Sequence, residues 1–246
     1  MSEKVNILGV KVDMVNISRS ADKICEFLND EKLSKVYTPN SEIIMAAYKD
    51  ESFRQVLNRA ELLTADGIGV VYASKIVGKP IGERAAGYDI ACEVLKRIST
   101  TSYSVYLLGG KPGVAKTAKE NLLKTYPNLK IAGLRDGYFK PEEEDCVIEE
   151  INKSEADIVF VCLGAPKQEL FIDKHKDKLT ARVAMGIGGS LDVFAGTAMR
   201  APEFYCKHGL EWFYRLMKQP SRIGRMLALP KFALTVLLNG RRFKQD

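Results

Sequence analysis

Apolar residues arrive along this chain in short uninterrupted runs, each closed by a polar or glycine-rich turn and followed by a stretch with helical spacing. Val5-Asn6-Ile7-Leu8 with Val10 and Val12 predicts an opening strand or hairpin, and Ser18 is placed to cap a helix carrying Ile24, Phe27 and Leu28 on one face. Lys35-Val36-Tyr37 predicts a short strand that ends in Thr38-Pro39-Asn40-Ser41, before a helix through Ile43, Ile44 and Ala47 and a second from about Glu51 to Ala60. Leu62 to Gly67 repeats the arrangement, with a helix running towards Ile76 and ended by Gly78. A polar loop from Ile81 to Asp89 leads to a helix through Ile90, Val94, Leu95 and Ile98.

The alternation is cleaner from there on. Val105–Leu108 reads as a buried strand, turned by Gly109–Gly113 into a helix with Pro112 in its first turn. Leu129–Gly133, Asp157–Leu163 and Arg182–Ile187 are three further strands, and a helix begins near Pro141. Repeated strand–turn–helix units predict an α/β fold, a Rossmann-like, mostly parallel sheet with helices on both faces. The pattern loosens near Arg200-Ala201-Pro202. This divides the chain into an α/β body over residues 1–198 and a helical appendage over 199–246.

Charge sharpens that division. The appendage holds ten Lys or Arg against three acids, a net +7, whereas the whole 246-residue chain carries +6, leaving the body at −1. Its cations lie beside Trp212, Phe213, Tyr214 and the apolar run Met226–Leu238, a combination suited to the cytoplasmic face of an anionic membrane. Nucleic acid would want the cations without the apolar strip, so it is not an expected partner. Apolar surface can equally be covered by self-association, so a homo-oligomer is a further expectation. No apolar run reaches the roughly 18–20 residues of a membrane span, Pro230 and Lys231 interrupt the longest near the end, and the first residues read as a strand and not as a signal peptide. Five scattered cysteines and two histidines make no zinc pattern. Thiols of this kind fit a cytoplasmic protein, which the appendage would hold peripherally on the inner face of the membrane.

Three glycine turns, Gly109–Gly113, Gly164–Lys167 and Gly186–Ser190, follow strands and can offer backbone N–H groups to phosphate. None is a Walker A loop or a Gly-x-Gly-x-x-Gly fingerprint, so they suggest a phosphate-bearing ligand without naming ATP or a nicotinamide. Asp66 has two readings of equal weight: a general base aimed into a crevice, or a cap for the helix starting at Gly67. No Asp-x-Asp pair occurs, so no metal is expected, and a diphosphate would be met by Arg84 and by Arg215, Arg222 and Arg225 of the appendage. Gln168 offers both donor and acceptor, while Glu169 can simply favour a helix start. A protein that senses nucleotides without reacting would keep the glycine turns but need no acid at Asp66.

Over nearly its whole length the sequence resembles the WecG/TagA/CpsF family of bacterial glycosyltransferases, most closely its wall teichoic acid branch. The likeness rests on Thr38-Pro39-Asn40-Ser41-Glu42, Ala65-Asp66-Gly67-Ile68-Gly69, Glu83-Arg84 with Gly87 and Asp89, Leu107-Leu108-Gly109-Gly110 with Pro112-Gly113, Gly137-Tyr138-Phe139, Gly164-Ala165-Pro166-Lys167-Gln168-Glu169, Gly186 with Gly188-Gly189, Arg200-Ala201-Pro202, and Gly209-Leu210-Glu211-Trp212 with Arg215-Leu216. The resemblance implies a metal-independent, inverting transfer of N-acetylmannosamine from UDP-ManNAc to a polyprenyl-pyrophosphate-GlcNAc acceptor, giving a β-1,4 linkage. It also implies that Asp66 is the general base, with Thr38 and Asn40 beside it. Arg84 and Gln168, with the turns at Gly109, Gly110, Gly164, Lys167 and Gly188, would bind substrate. Arg215, Arg222 and Arg225 would sit on an appendage that closes over the site while touching the membrane. Relatives use the uronic acid of the same sugar, or glucose; without a second basic cluster to meet a sugar carboxylate, the uncharged donor is expected here. Ala86 departs from the small hydroxyl residue many relatives carry, removing one hydrogen bond from the Arg84 loop.

Overall fold

A computed structural model of the chain describes residues 3–202, 204–205, 210–218 and 228–243. The opening run folds as an antiparallel hairpin of β1 (Lys4–Ile7) and β2 (Val10–Asp13), with Val5 opposite Val12 and Ile7 opposite Val10, all four buried. Helix α1 (Ile17–Phe27) is capped by Asn16 and not by Ser18. Asn16 is the last extended residue before the helix, so its Oδ1 reaches the Arg19 N–H at 2.8 Å. Ser18 is already inside the first turn, where its hydroxyl accepts from Arg97 at 3.1 Å.

The remaining elements follow the predicted alternation: β3 (Ser34–Tyr37), α2 (Ser41–Lys49), α3 (Glu51–Asn58), β4 (Leu62–Leu63), α4 (Ile68–Ile76), α5 (Gly87–Ile98), β5 (Ser104–Gly109), α6 (Val114–Thr125), β6 (Lys130–Arg135), α7 (Glu144–Lys153), β7 (Ile158–Cys162), α8 (Lys167–His175), β8 (Val183–Gly186) and α9 (Ser190–Phe194). Pro112 falls in the turn ahead of α6 instead of in its first turn, because Gly113, in the left-handed region at φ 87°, is the cap. Six strands make one sheet in the order β4-β3-β8-β7-β5-β6, and every neighbouring pair is parallel. Strands β7 and β8 are buried on both faces, which is why they read as unbroken apolar runs; β3 is equally buried although it carries Ser34 and Lys35.

Two apolar layers cover the sheet. One joins the hairpin to α2, α3, α4, α7 and α8; the other is built from α1, α5, α6 and α9. Because all strands run the same way, the loops after them gather on one edge, where open α/β sheets place their ligands.

The last fifth of the chain contributes α10 (Glu211–Lys218), α11 (Ala228–Asn239) and a closing 3-10 turn at Gly240–Phe243. Pro230 is accommodated in the first turn of α11, where no N–H is required of it. Helix α11 packs on α2 and α4, burying Phe232 and Val236 in the same apolar layer as the hairpin, and Phe243 meets Tyr48 edge to face at 6.3 Å. Leu234, Leu237 and Leu238 remain exposed, as do Tyr72 and Ile76 on α4. Among the described residues no helix is long and apolar enough to cross a membrane.

One buried charge ties the hairpin to the sheet edge. Asp13 is 1% exposed; it accepts from the Leu63 N–H at 2.9 Å and pairs with Lys4 at 3.1 Å. Asp13→Ala would leave a buried donor on β4 unmet. It is expected to lower stability by about 1–3 kcal/mol, read as an earlier midpoint in urea unfolding.

Candidate functional site

The strand ends form the site from one side of the sheet to the other. After β3 come Thr38 and Asn40. Thr38 is buried and its hydroxyl donates to the Gly186 carbonyl at the end of β8, 3.2 Å away. Asn40 caps α2, its Oδ1 accepting from the N–H groups of Glu42 at 2.9 Å and Ile43 at 3.0 Å. Both side chains thus shape the loops at this edge.

Asp66 follows β4 at the same edge. Its N–H donates to the Pro39 carbonyl at 3.2 Å, which draws it to the end of β3. The cap of α4 is Gly67, at φ 104° and with no side-chain hydrogen bond, so Asp66 is not the cap of that helix. Its Oδ2 instead accepts from the N–H of Gly87, the first residue of α5, at 3.4 Å. The carboxylate is half-buried at a helix N-terminus, a position that favours negative charge. Gly87 is required there: a Cβ would lie 2.8 Å from the Thr38 hydroxyl.

The strap before α5 is stitched to the same loops. Ala85 donates to the Ala65 carbonyl at 2.9 Å, and the buried Thr64 hydroxyl donates to the Ala85 carbonyl at 3.0 Å. Ala86 is the cap of α5 and supplies no side-chain bond, as its missing hydroxyl leads one to expect. Arg84, 16% exposed, donates to Asp89 Oδ2 at 3.1 Å. The other oxygen of Asp89 holds Arg200, whose guanidinium lies 4.9 Å from the Tyr88 ring centroid. One carboxylate in the first turn of α5 therefore gathers two arginines. Asp89 and Arg200 matched the family pattern, but nothing in their spacing along the chain marked them as partners.

The other half of the edge is built from glycine turns. Gly109 closes β5 at φ 130°, and a Cβ there would fall 2.3 Å from the Cys162 carbonyl oxygen, so no larger residue fits. Gly110 is joined to Gly137 by an N–H···O bond of 2.9 Å, with Gly137 donating, and this brings the β5 and β6 turns together. After β7, Gly164 leads to Lys167, whose ammonium lies 4.6 Å from the Phe139 ring centroid and 3.5 Å from the Gly137 carbonyl. Tyr138 stands out from this loop, 68% exposed.

Gln168 is placed differently from a ligand-facing side chain. It is buried, its Oε1 accepts from the Gly188 N–H at 2.9 Å, and its Nε2 donates to Glu169 Oε1 at 2.8 Å. Glu169 is fully buried, and burial pushes its carboxyl above the ordinary range. Its sequence position suggested only that it favours a helix start and did not reveal this burial. Arg215 lies on α10; Arg222 and Arg225 lie outside the described residues. Among the described residues no three His, Cys, Asp or Glu side chains cluster so as to hold a metal ion.

The sequence profile described as the glycosyl transferase WecG/TagA/CpsF family matches residues 5–246. An N-acetylglucosaminyldiphosphoundecaprenol N-acetyl-beta-D-mannosaminyltransferase of Bacillus spizizenii is 40% identical over 215 residues, covering 87% of this chain and 83% of its own. The protein of the same name from Bacillus subtilis is 40% identical over 223 residues, covering 90% and 86%. Its counterpart in Staphylococcus aureus is 34% identical over 244 residues, covering 98% and 95%. With the match running through both the sheet edge and the final helices, the chain belongs to the WecG/TagA/CpsF family of glycosyltransferases.

Proposed function

We propose that the chain transfers N-acetylmannosamine from UDP-ManNAc to the 4-hydroxyl of a polyprenyl-pyrophosphate-linked N-acetylglucosamine, forming a β-1,4 linkage with inversion. The observation that carries this reading is Asp66: a half-buried carboxylate at the carboxyl edge of the sheet that accepts from the Gly87 N–H, one residue ahead of the Gly67 cap of α4. In the proposed step the acceptor oxygen attacks the anomeric carbon as Asp66 takes its proton, and UDP departs with the electron pair of the broken bond. Thr38 and Asn40 hold the loops that aim the base. The diphosphate gathers negative charge as it leaves, so donors fixed around it stabilise the transition state more than the bound substrate. Arg84, Lys167 and the turns at Gly109, Gly110, Gly164 and Gly188 are assigned that task, joined by Arg215, Arg222 and Arg225 from the appendage.

The lipid acceptor gives the exposed apolar residues a purpose. Leu234, Leu237 and Leu238 of α11 and Tyr72 and Ile76 of α4 are presented by two helices that pack together. On this reading they rest on the cytoplasmic face of the membrane, where the acceptor's polyprenyl chain is anchored.

The experiment is transfer to a lipid-pyrophosphate-GlcNAc analogue, with UDP-ManNAc, its uronic acid counterpart and UDP-glucose offered separately, each with and without EDTA. Turnover with UDP-ManNAc that EDTA leaves unchanged is the expected result. Preference for either other donor would overturn the sugar assignment, and loss of activity in EDTA would overturn metal independence.

A further inference from the structure

We propose that Glu169 is a positioning residue for the transfer reaction: through Gln168 it holds the Gly186–Gly188 turn in place and so fixes where Thr38 and Asp66 stand. The inference rests on the reaction proposed above and adds to it a residue that no substrate touches.

The connection runs through contacts at the end of β8. Glu169 Oε1 accepts from Gln168 Nε2 at 2.8 Å, and Gln168 Oε1 accepts from the Gly188 N–H at 2.9 Å. The amide of Gln168 lies flat against Gly186, where an added Cβ would meet its Nε2 at 3.1 Å. The Gly186 carbonyl in turn accepts from the Thr38 hydroxyl, Thr38 packs on Gly87, and the Gly87 N–H donates to Asp66. A buried carboxyl group on α8 is thus linked, contact by contact, to the proposed base beyond β3.

The second oxygen of Glu169 makes the arrangement unusual. Oε2 is buried and has no hydrogen-bond partner among the described residues. Lys35 and Arg59 are both paired to Asp173, four residues further along α8, at 3.1 and 2.6 Å. On β3, the Tyr37 hydroxyl donates to the Glu169 carbonyl at 3.3 Å, and Glu61 accepts from the Lys35 N–H. A charge left in such a place is far more costly than a neutral acid. Glu169 is therefore carried protonated, which agrees with burial pushing its carboxyl up. In that form one oxygen accepts from Gln168 and no charge is stranded. Ionisation would strand a charge on the buried Oε2, and the start of α8 would have to shift towards water to solvate it, loosening the hold of Gln168 on Gly188.

The sign of the pH effect follows. A carboxyl raised in the folded state binds a proton that the unfolded chain releases above its ordinary value of 4.5. Its contribution to stability is complete below that value and is lost as pH rises through the folded-state value. Glutamine at 169 keeps the acceptor and cannot ionise.

The test uses the full chain with Glu169→Gln and Glu169→Ala. The alanine variant is expected to lose about 10²-fold in kcat, the scale of a misplaced catalytic group, and the glutamine variant to restore most of it. Wild-type kcat is expected to fall as pH rises above the ordinary glutamate value of 4.5, along a limb that Glu169→Gln lacks; superimposable profiles would overturn the proposal even if the alanine variant does not fold. Hydrogen exchange at the Gly188 amide, read without substrate, should be slow in wild type and Glu169→Gln and faster in Glu169→Ala. Equal exchange in all three would overturn the bracket itself. A protein that brackets Gly188 in this way yet transfers none of the three sugars would instead sink the proposed reaction, and with it any positioning role for Glu169.

Discussion

Asp66→Asn is expected to lower turnover by about 10²–10⁴-fold, the range for removing a positioned general base. Asparagine keeps the size of the side chain and an oxygen that can still accept from Gly87, so the unfolding midpoint should hardly move. Affinity for the UDP-sugar should also survive, because proton removal belongs to the step in which the acceptor oxygen attacks. The discriminating measurement is therefore kcat beside donor binding in the same preparation. A fall in kcat with unchanged binding supports the base; turnover within a few-fold of wild type would leave Asp66 as a loop residue holding Gly87 and send the search for a base elsewhere.

The second large effect is expected from Arg222→Gln and Arg225→Gln together. Each removes a cation assigned to the departing diphosphate, and a single donor of that kind is worth about 10²–10³-fold. Both lie outside the described residues, in the chain between α10 and α11. Cutting the chain near residue 200 is a poorer test, since it would also remove Phe232 and Val236 from the apolar layer on α2 and α4. The double substitution leaves those residues in place. Binding to anionic vesicles should weaken only modestly, because the exposed leucines of α11 are untouched. Wild-type turnover by the double variant would exclude these arginines from the chemistry.

Much of this architecture was legible in the order of residues because buried parallel strands cannot alternate: β7 and β8 are apolar throughout and β5 is so after Ser104, with Gly109 and Gly186 ending β5 and β8 and Gly164 standing two residues past β7. The edge strand β6, half-exposed along most of its length, was still recognisable, but its span runs on to Arg135. Local capping was harder to read. Asn16 and Ser18 are both good caps, and only the backbone path decides between them. What no spacing along the chain could disclose is partnership between distant segments. Asp89 joins Arg84 to Arg200, 111 positions away, and Glu169 looks like any acid in a first helical turn until the sheet is folded over it. The residues the resemblance marked as substrate-binding include at least one, Gln168, whose described bonds go to the protein itself.

The order of strands also acts as a ruler. Asp66 is tied to the end of β3, while Gly109 and Gly110 close β5; between them stand β8 and β7. Three inter-strand steps of about 4.8 Å separate those ends by roughly 14 Å. A lone sugar ring or a free phosphate cannot touch both. A ligand that does so must be elongated, with different chemistry at its two ends and a linker between them. Its halves offered separately should each bind poorly, since joining them turns the second contact into an intramolecular event. With Asp66 and the Gly109–Gly110 turn in their proposed roles, selection by length accompanies selection by functional group, and it is set by how many strands the chain inserted between the two ends.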